Sequence, residues 1–251
     1  MIDRVLERLR KRHQGIGYAK LVLYGLIWLI RKLSFGLVEF DYRYLLVQAV
    51  PERALLRGRT PGGFTMEVLA GERLIEADAR DHDAAFSREP RDPARFLRRV
   101  QRGDVCFAAM RGGRAEGVLW LSFEDFDESD VKAVFRVHPA HGMAWDSNLY
   151  IMPDARGGFI FALLWDAANA WLREHGYRWV ATQTSAFNGA SLQAHQRMGS
   201  RRIGWMLYLL LGRWQVTFSS LTPRFDLRAP QDAARIYTIP LPDVIDRDAA
   251  A

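Results

Sequence analysis

The sequence has one cysteine, Cys106, in 251 residues. Within one chain this excludes a disulfide framework and a cysteine-based metal cluster. Cys106 lies in the apolar run Val105-Cys106-Phe107, where a small buried core residue is the expected role. His138 and His141 flank Pro139 without a companion cysteine or acidic triad, so no metal site is expected. No nucleophile elbow and no Cys–His pair is present, which argues against a covalent enzyme intermediate. Long apolar runs are also missing. The longest N-terminal stretch, Leu21 to Ile30, is half of the roughly 20 residues a spanning helix needs. It is not followed by a small-residue cleavage site of the signal-peptide kind. Aromatic and basic residues do not interleave as in nucleic-acid modules, so no nucleic-acid partner is expected. Repeats and low-complexity segments are absent. The single thiol fits a reducing compartment, and the expected location is the cytoplasm, with the inner membrane face as an option for the N-terminal segment.

What is present is a globular composition, 49% hydrophobic and 25% charged, with a formal charge of +6 carried mostly by arginine. Such a surface favours acidic partners, or is simply a solvated face. The segment 16–35 has basic flanks at Lys20, Arg31 and Lys32 and carries Tyr24 and Trp28. Two readings stay open for it: a helix lying at a membrane surface, or a core or homodimer helix covering the domain.

Periodicity and punctuation give an order of elements. Residues 1–35 read as helical with a break at Gly15-Ile16-Gly17. Val38 to Val50 is aromatic and β-branched and stops at Pro51, as a strand does. Thr60 to Gly63 is a turn, and Phe64 to Leu69 alternates as a strand. Pro93 to Gln101 reads as a helix with Asp92 as cap and proline at its first position. Asp104–Met110 and Glu116–Phe123 form a hairpin around Gly112-Gly113. Strands follow at Val131–Val137 and Trp145–Met152, a helix at Phe159–His175 closed by Gly176, and a strand at Tyr177–Thr184. Asn188 caps a short helix over 189–198 ended by Gly199, and strands close the pattern at Ile203–Leu211 and Gln215–Ser219. The tail after Pro223 shows no clear period. The expectation is an α+β or mixed α/β fold: an N-terminal appendage over 1–37, a domain over 38–222 and a tail over 223–251.

Chemistry concentrates between Trp145 and Gly204. A strand ends at Ile151-Met152-Pro153, a turn Asp154-Ala155-Arg156-Gly157-Gly158 follows, and a long helix begins at once. Free N–H groups and the helix dipole at such a start attract an anion, and glycine lets a phosphate approach the backbone. The next strand runs into Phe187-Asn188-Gly189-Ala190-Ser191, then Leu192-Gln193-Ala194-His195 and Met198-Gly199. In order and spacing, residues 145–204 resemble the GNAT superfamily of N-acyltransferases.

The resemblance implies a GNAT-like fold: a central, mostly antiparallel sheet with flanking helices and a splayed strand pair. It implies acetyl-CoA or another acyl-CoA as co-substrate and a small-molecule amine as acceptor. The backbone of Tyr150 and Ile151 would align the acyl and pantetheine amides. The loop and helix start, Arg156, Gly157, Gly158, Phe159, Ile160 and Phe161, would hold the pyrophosphate. Asn188 would contact the pantetheine arm or an ordered water, and His195 stands where the family usually has a tyrosine that protonates the departing thiolate. An imidazole titrates near neutrality and can supply that proton. Asp146 and Glu67, carboxylates on apolar strands, are candidates for the general base. Phe159 departs from the family, which usually has glycine there. A repositioned cofactor, an acyl-carrier-protein donor and a protein without turnover all stay open on that account. Arg197, Arg201 and Arg202 are candidates for the CoA 3′-phosphate or an acidic carrier protein, or form a solvated face. The tryptophans at 120, 145, 165, 171, 179, 205 and 214 are at core-like spacing.

Overall fold

The computed structural model describes residues 18–56, 62–73, 75–76, 93–128, 130–156 and 158–241. The charged segment Met1–His13, the Gly15–Gly17 break, Thr60 and Pro61 of the first turn, the Asp92 cap and Gly157 lie outside the described residues.

In chain order the elements are α1 (Tyr18–Leu33), β1 (Val38–Ala49), β2 (Phe64–Leu69), α2 (Pro93–Arg102), β3 (Val105–Arg111) and β4 (Arg114–Ser122). The two-residue β5 (Phe126–Asp127), β6 (Ala133–Arg136), β7 (Met143–Ile151), α3 (Ile160–Glu174), β8 (Trp179–Ser185) and α4 (Gly189–Arg197) follow. The chain then forms β9 (Arg201–Leu211), β10 (Trp214–Ser219), β11 (Phe225–Arg228) and β12 (Arg235–Thr238). Within the described residues, the elements read from periodicity are found with ends shifted by a few residues, and the helical reading of residues 1–17 lies outside them. One reading changes: the tail after Pro223 is not irregular but carries β11 and β12. Four-residue strands are too short to show a period.

The chain divides into two compact units. The first comprises residues 49–126 and 137–180. Its sheet runs in the order β7-β4-β3-β2, every pair antiparallel. Gly112 and Gly113, both at positive φ, make the tight β3–β4 turn. Both faces of the central strands are covered. Cys106, Ala108, Met110, Val118 and Trp120 form one cluster, joined by Phe96 and Val100 of α2. On the other face, Phe107 meets Trp171 of α3 edge-on at 6.2 Å. A strand covered twice reads as an unbroken apolar run, as β3 does.

Gly117 fixes how closely α3 lies on this sheet. A Cβ built there would be 2.8 Å from Ile160 Cγ2 and 3.2 Å from Leu164 Cδ1. The missing side chain therefore makes room for the first turn of α3. Two bulges shape β4 and β7. Glu116 is the extra residue facing Ala109-Met110, and Ser147 is the extra residue facing Trp120-Leu121. Bulges re-aim side chains near strand ends.

The second unit comprises residues up to 48, 127–136 and 181 onward. Its strands run β11-β10-β9-β1-β8, with β1 antiparallel to β9 over Val38–Val47. β6 and β12 pair in parallel, Ala133 opposite Arg235. Here the alternation is inverted. Gln215, Thr217 and Ser219 of β10 are buried, whereas Trp214 and Phe218 are exposed. The inward polar groups are engaged: Lys132 N–H donates to Gln215 Oε1 at 2.7 Å, and Gln215 Nε2 donates to Thr217 Oγ1 at 3.0 Å. Arg43 of β1 is a second polar centre, bridging Asp41 and, at 3.2 Å, Glu128. Glu128 also accepts from Gln183 Nε2. Burial alone would lower the basicity of Arg43, but the two carboxylates outweigh it and raise it. Among the described residues, no helix is long and apolar enough to cross a membrane.

Candidate active site

The candidate residues fall into two sets, one in each unit. In the first unit, β7 ends at Ile151, which is registered opposite Gly117 of β4. The strand is extended by one further bond, Met152 N–H to the carbonyl of the bulged Glu116 at 2.9 Å. A single 3-10 turn, Pro153–Ala155, reverses the chain. Arg156 folds back on the strand it follows: its Nε donates to Ile151 O at 2.9 Å and its guanidinium lies 5.7 Å from the Tyr150 ring centre. Arg156 thus holds the loop against the strand end.

Gly158 is exposed, and a Cβ there would meet only Ala155 O at 3.8 Å. Neither packing nor a left-handed φ demands glycine at this position. α3 then begins at Ile160 with Phe159 as cap residue. The cap makes no side-chain hydrogen bond, and the first turn contains no acid. A helix start normally leaves several N–H groups needing a partner, and its positive dipole end is here without an anionic side chain. Ile160 is buried against Gly117, and Phe161 is half-buried beside Trp165 at 6.4 Å. Phe159, the residue that departs from the GNAT pattern, stands edge-on to Phe64 of β2 at 5.1 Å. On its other side, Phe64 is faced by the Arg111 guanidinium at 5.0 Å. The Phe159 ring is therefore a packing group that ties α3 to β2.

The two candidate carboxylates are in this unit but not together. Asp146 is buried on β7 opposite Leu121, next to the Ser147 bulge. Glu67 is half-buried on β2 opposite Ala108, in the row that continues through Val118 to Tyr150. Three strand spacings and four residues of rise separate them, roughly 20 Å, so one proton is not shared between them. His138 and His141 lie in the turn before β7, their rings 6.0 Å apart.

Residues that the sequence reading passed over also sit on β4 and β7. Asn148 Nδ2 and Trp120 Nε1 are buried donors without a partner, on residues directly opposite one another. Trp120 reads as core from its spacing, and its unsatisfied indole N–H is not legible in sequence. Gly117 had a signal: an isolated glycine in an apolar strand marks a close approach.

In the second unit, Asn188 caps α4, its Oδ1 accepting from Ser191 N–H at 3.2 Å. Asn188 is exposed. His195 lies in the last turn of α4 and is 5% exposed. Burial lowers its pKa from the usual 6.5 to about 4. The expectation that this ring titrates near neutrality does not survive its burial: at pH 7 it is a neutral imidazole. Arg197, Arg201 and Arg202 are exposed, and the Arg202 guanidinium lies 4.8 Å from the Tyr44 ring centre.

No protein-family model and no curated protein matches the chain. Among solved structures it is similar to a functionally unknown conserved protein from Staphylococcus epidermidis: 11% identity, 72% of this chain against 66% of that one, TM-score 0.48. It is similar to the aminoglycoside N-acetyltransferase AAC(6')-Iy in complex with CoA at 19% identity, over 54% of this chain and 90% of that one, with a TM-score of 0.38. A tandem GNAT protein from the clavulanic acid biosynthesis pathway is similar at 15% identity, over 72% of this chain and 57% of that one, with a TM-score of 0.45. The chain thus spans about two thirds of the first structure's length and little more than half of the third's. The order of elements in this chain is an antiparallel meander followed by strand, loop, helix, strand and capped short helix.

Proposed function

We propose that the protein is an N-acyltransferase that moves an acyl group from acyl-CoA to a primary amine. The observation that carries this reading is the start of α3. A helix of four turns opens without a cap side chain or an acid, directly after an exposed glycine that the fold itself does not require. A pyrophosphate is the kind of group such a start binds. The packing of Phe159 on Phe64 supports the reading, because it turns the unusual aromatic into a strut and leaves the backbone of 158–162 as the binding element.

In this reading the amine nitrogen attacks the thioester carbonyl, the C–S bond breaks, the amine gives up a proton and the CoA sulfur takes one. Binding both partners in line supplies most of the acceleration. The Tyr150–Ile151 backbone aligns the donor's amides, and Asn188 offers its exposed amide to the pantetheine arm. His195, neutral at pH 7, serves the sulfur as a hydrogen-bond donor rather than as an imidazolium. Asp146, buried beside the Ser147 bulge, is the preferred base over Glu67, since it stands on the strand that carries Tyr150 and Ile151.

The test is calorimetry with CoA, acetyl-CoA and a long-chain acyl-CoA, on wild type and Gly158→Glu, followed by amine-dependent thiol release. Micromolar binding that the substitution abolishes, with unfolding unchanged, supports the reading, and the preferred chain length selects the acceptors to screen. A folded protein that binds no CoA species sinks it and leaves a carrier-protein donor or a GNAT-like fold without turnover.

A further inference from the structure

Unit two exposes apolar surface of an unusual kind. α1 touches the body through Tyr24, whose ring meets Phe187 at 5.4 Å, on the side that also carries the less exposed Ile27. At 100° per residue the opposite side is Val22, Leu26, Leu29 and Leu33, all exposed, Leu33 at 70%. α1 contains three basic residues and no acid. The Lys32 ammonium lies over the Trp28 ring, 5.1 Å from its centre. Beyond the helix, Phe35 is 95% exposed and held at a φ of 53°. Backbone strain in a residue without the freedom of glycine persists where structure or function requires it. A phenyl ring is the group that this turn presents.

The surface continues onto the sheet. Gly212 N–H donates to Leu37 O at 2.8 Å, and Val38 is registered with Leu211, which is registered with Trp214. Leu37, Leu211 and Trp214 are all exposed. Along the same face, Phe218 pairs with Phe225 at 5.4 Å. A straight pairing of α1 with a second copy would cover the Val22–Leu33 stripe and leave the Phe35 tip and the sheet face bare. A bilayer interface would cover all of them, and the Lys32 ammonium matches anionic headgroups, whereas Arg31 is ion-paired with Glu39 at 2.9 Å.

We infer that this surface of unit two seats on an anionic lipid bilayer, with α1 lying in the interface and Phe35 inserted at its end. The inference is independent of the acyl-transfer reading, since it concerns neither the α3 loop nor His195. Flotation of the full chain with phosphatidylcholine vesicles, alone or with one quarter phosphatidylglycerol, tests it. Wild type floats with the anionic vesicles and less with the neutral ones. The double variant Leu29→Ser/Leu33→Ser, and separately Phe35→Ser, lower partitioning by roughly tenfold or more. Lys32→Glu lowers it at least about fivefold on anionic vesicles only. These positions are exposed, and unchanged thermal unfolding confirms that the variants are folded. Wild type left in the aqueous fraction with both vesicle types overturns the inference. So does a dimer in velocity sedimentation that Leu29→Ser/Leu33→Ser splits without changing flotation, which would assign the stripe to a second copy.

Discussion

Two hairpins of this protein solve the burial problem in opposite ways. β3 and β4 carry apolar residues on both faces and are covered on both, by α2 and by α3. β10 and β11 also carry apolar residues, Trp214, Phe218, Phe225 and Leu227, but leave them exposed and bury Gln215, Thr217, Ser219 and Asp226 instead. The contrast shows that burial is decided by what a strand can be covered with. The inward side of β10 meets the Lys132 backbone, and Thr217 is registered with Tyr208, whose ring lies 5.6 Å from the Arg43 guanidinium, so this side holds hydrogen-bonding groups that must be satisfied there.

The comparison predicts that the polar interior of unit two is the more fragile core. Arg43→Met removes the ion partner of the largely buried Glu128, leaving it the hydrogen bond from Gln183, and is expected to cost about 3–5 kcal/mol of stability. Urea unfolding measures this, and a loss below 1 kcal/mol would show that Glu128 finds water. The next effect concerns His195. Its pKa is about 4 folded and about 6.5 unfolded. The unfolded chain therefore takes up the proton first, and the stability that this group contributes is complete above pH 6.5 and is lost as the pH falls to 4. The total is about 3 kcal/mol. His195→Gln should flatten the pH dependence of unfolding in that window and leave it unchanged above pH 7. For unit one, the tight apolar packing predicts a smaller penalty: Gly117→Val presses on Ile160 and Leu164 and is expected to cost about 1–3 kcal/mol. If Ile160 shifts, that substitution should also weaken CoA binding, so calorimetry on the same variant links the packing to the loop. The smallest effect belongs to the exposed face. Trp214→Gln or Leu227→Gln should change stability by under about 0.5 kcal/mol. A larger loss would mean that the apolar face is a core element.

The sequence carries the local features of this architecture and not the non-local ones. β3, β4, α3 and the Asn188 cap are marked by unbroken runs, turn glycines and a capping side chain, all of which act over a few residues. The place of β1 beside β9, more than 150 positions away in the chain, depends on pairing that no periodicity records. The same holds for β12 beside β6. In the candidate sites, the Arg156 loop and Asn188 are legible because glycine, helix start and cap are local signals. The tie from Arg156 to Ile151, the packing of Phe159 on Phe64 and the unpartnered donors of Trp120 and Asn148 are not, since each needs a partner from another turn or strand. The depressed basicity of His195 is set by burial alone and cannot be read from its neighbours in the chain.

Cys106 gives the protein a built-in clock. Its thiol is fully buried in the middle of the β2–β3–β4 sheet, and a buried thiol is inert towards disulfide reagents. In a native sample under the acyl-transfer assay proposed above, colour from such a reagent would therefore count CoA thiol and not Cys106. The slow appearance of one further equivalent per chain times the opening of that sheet.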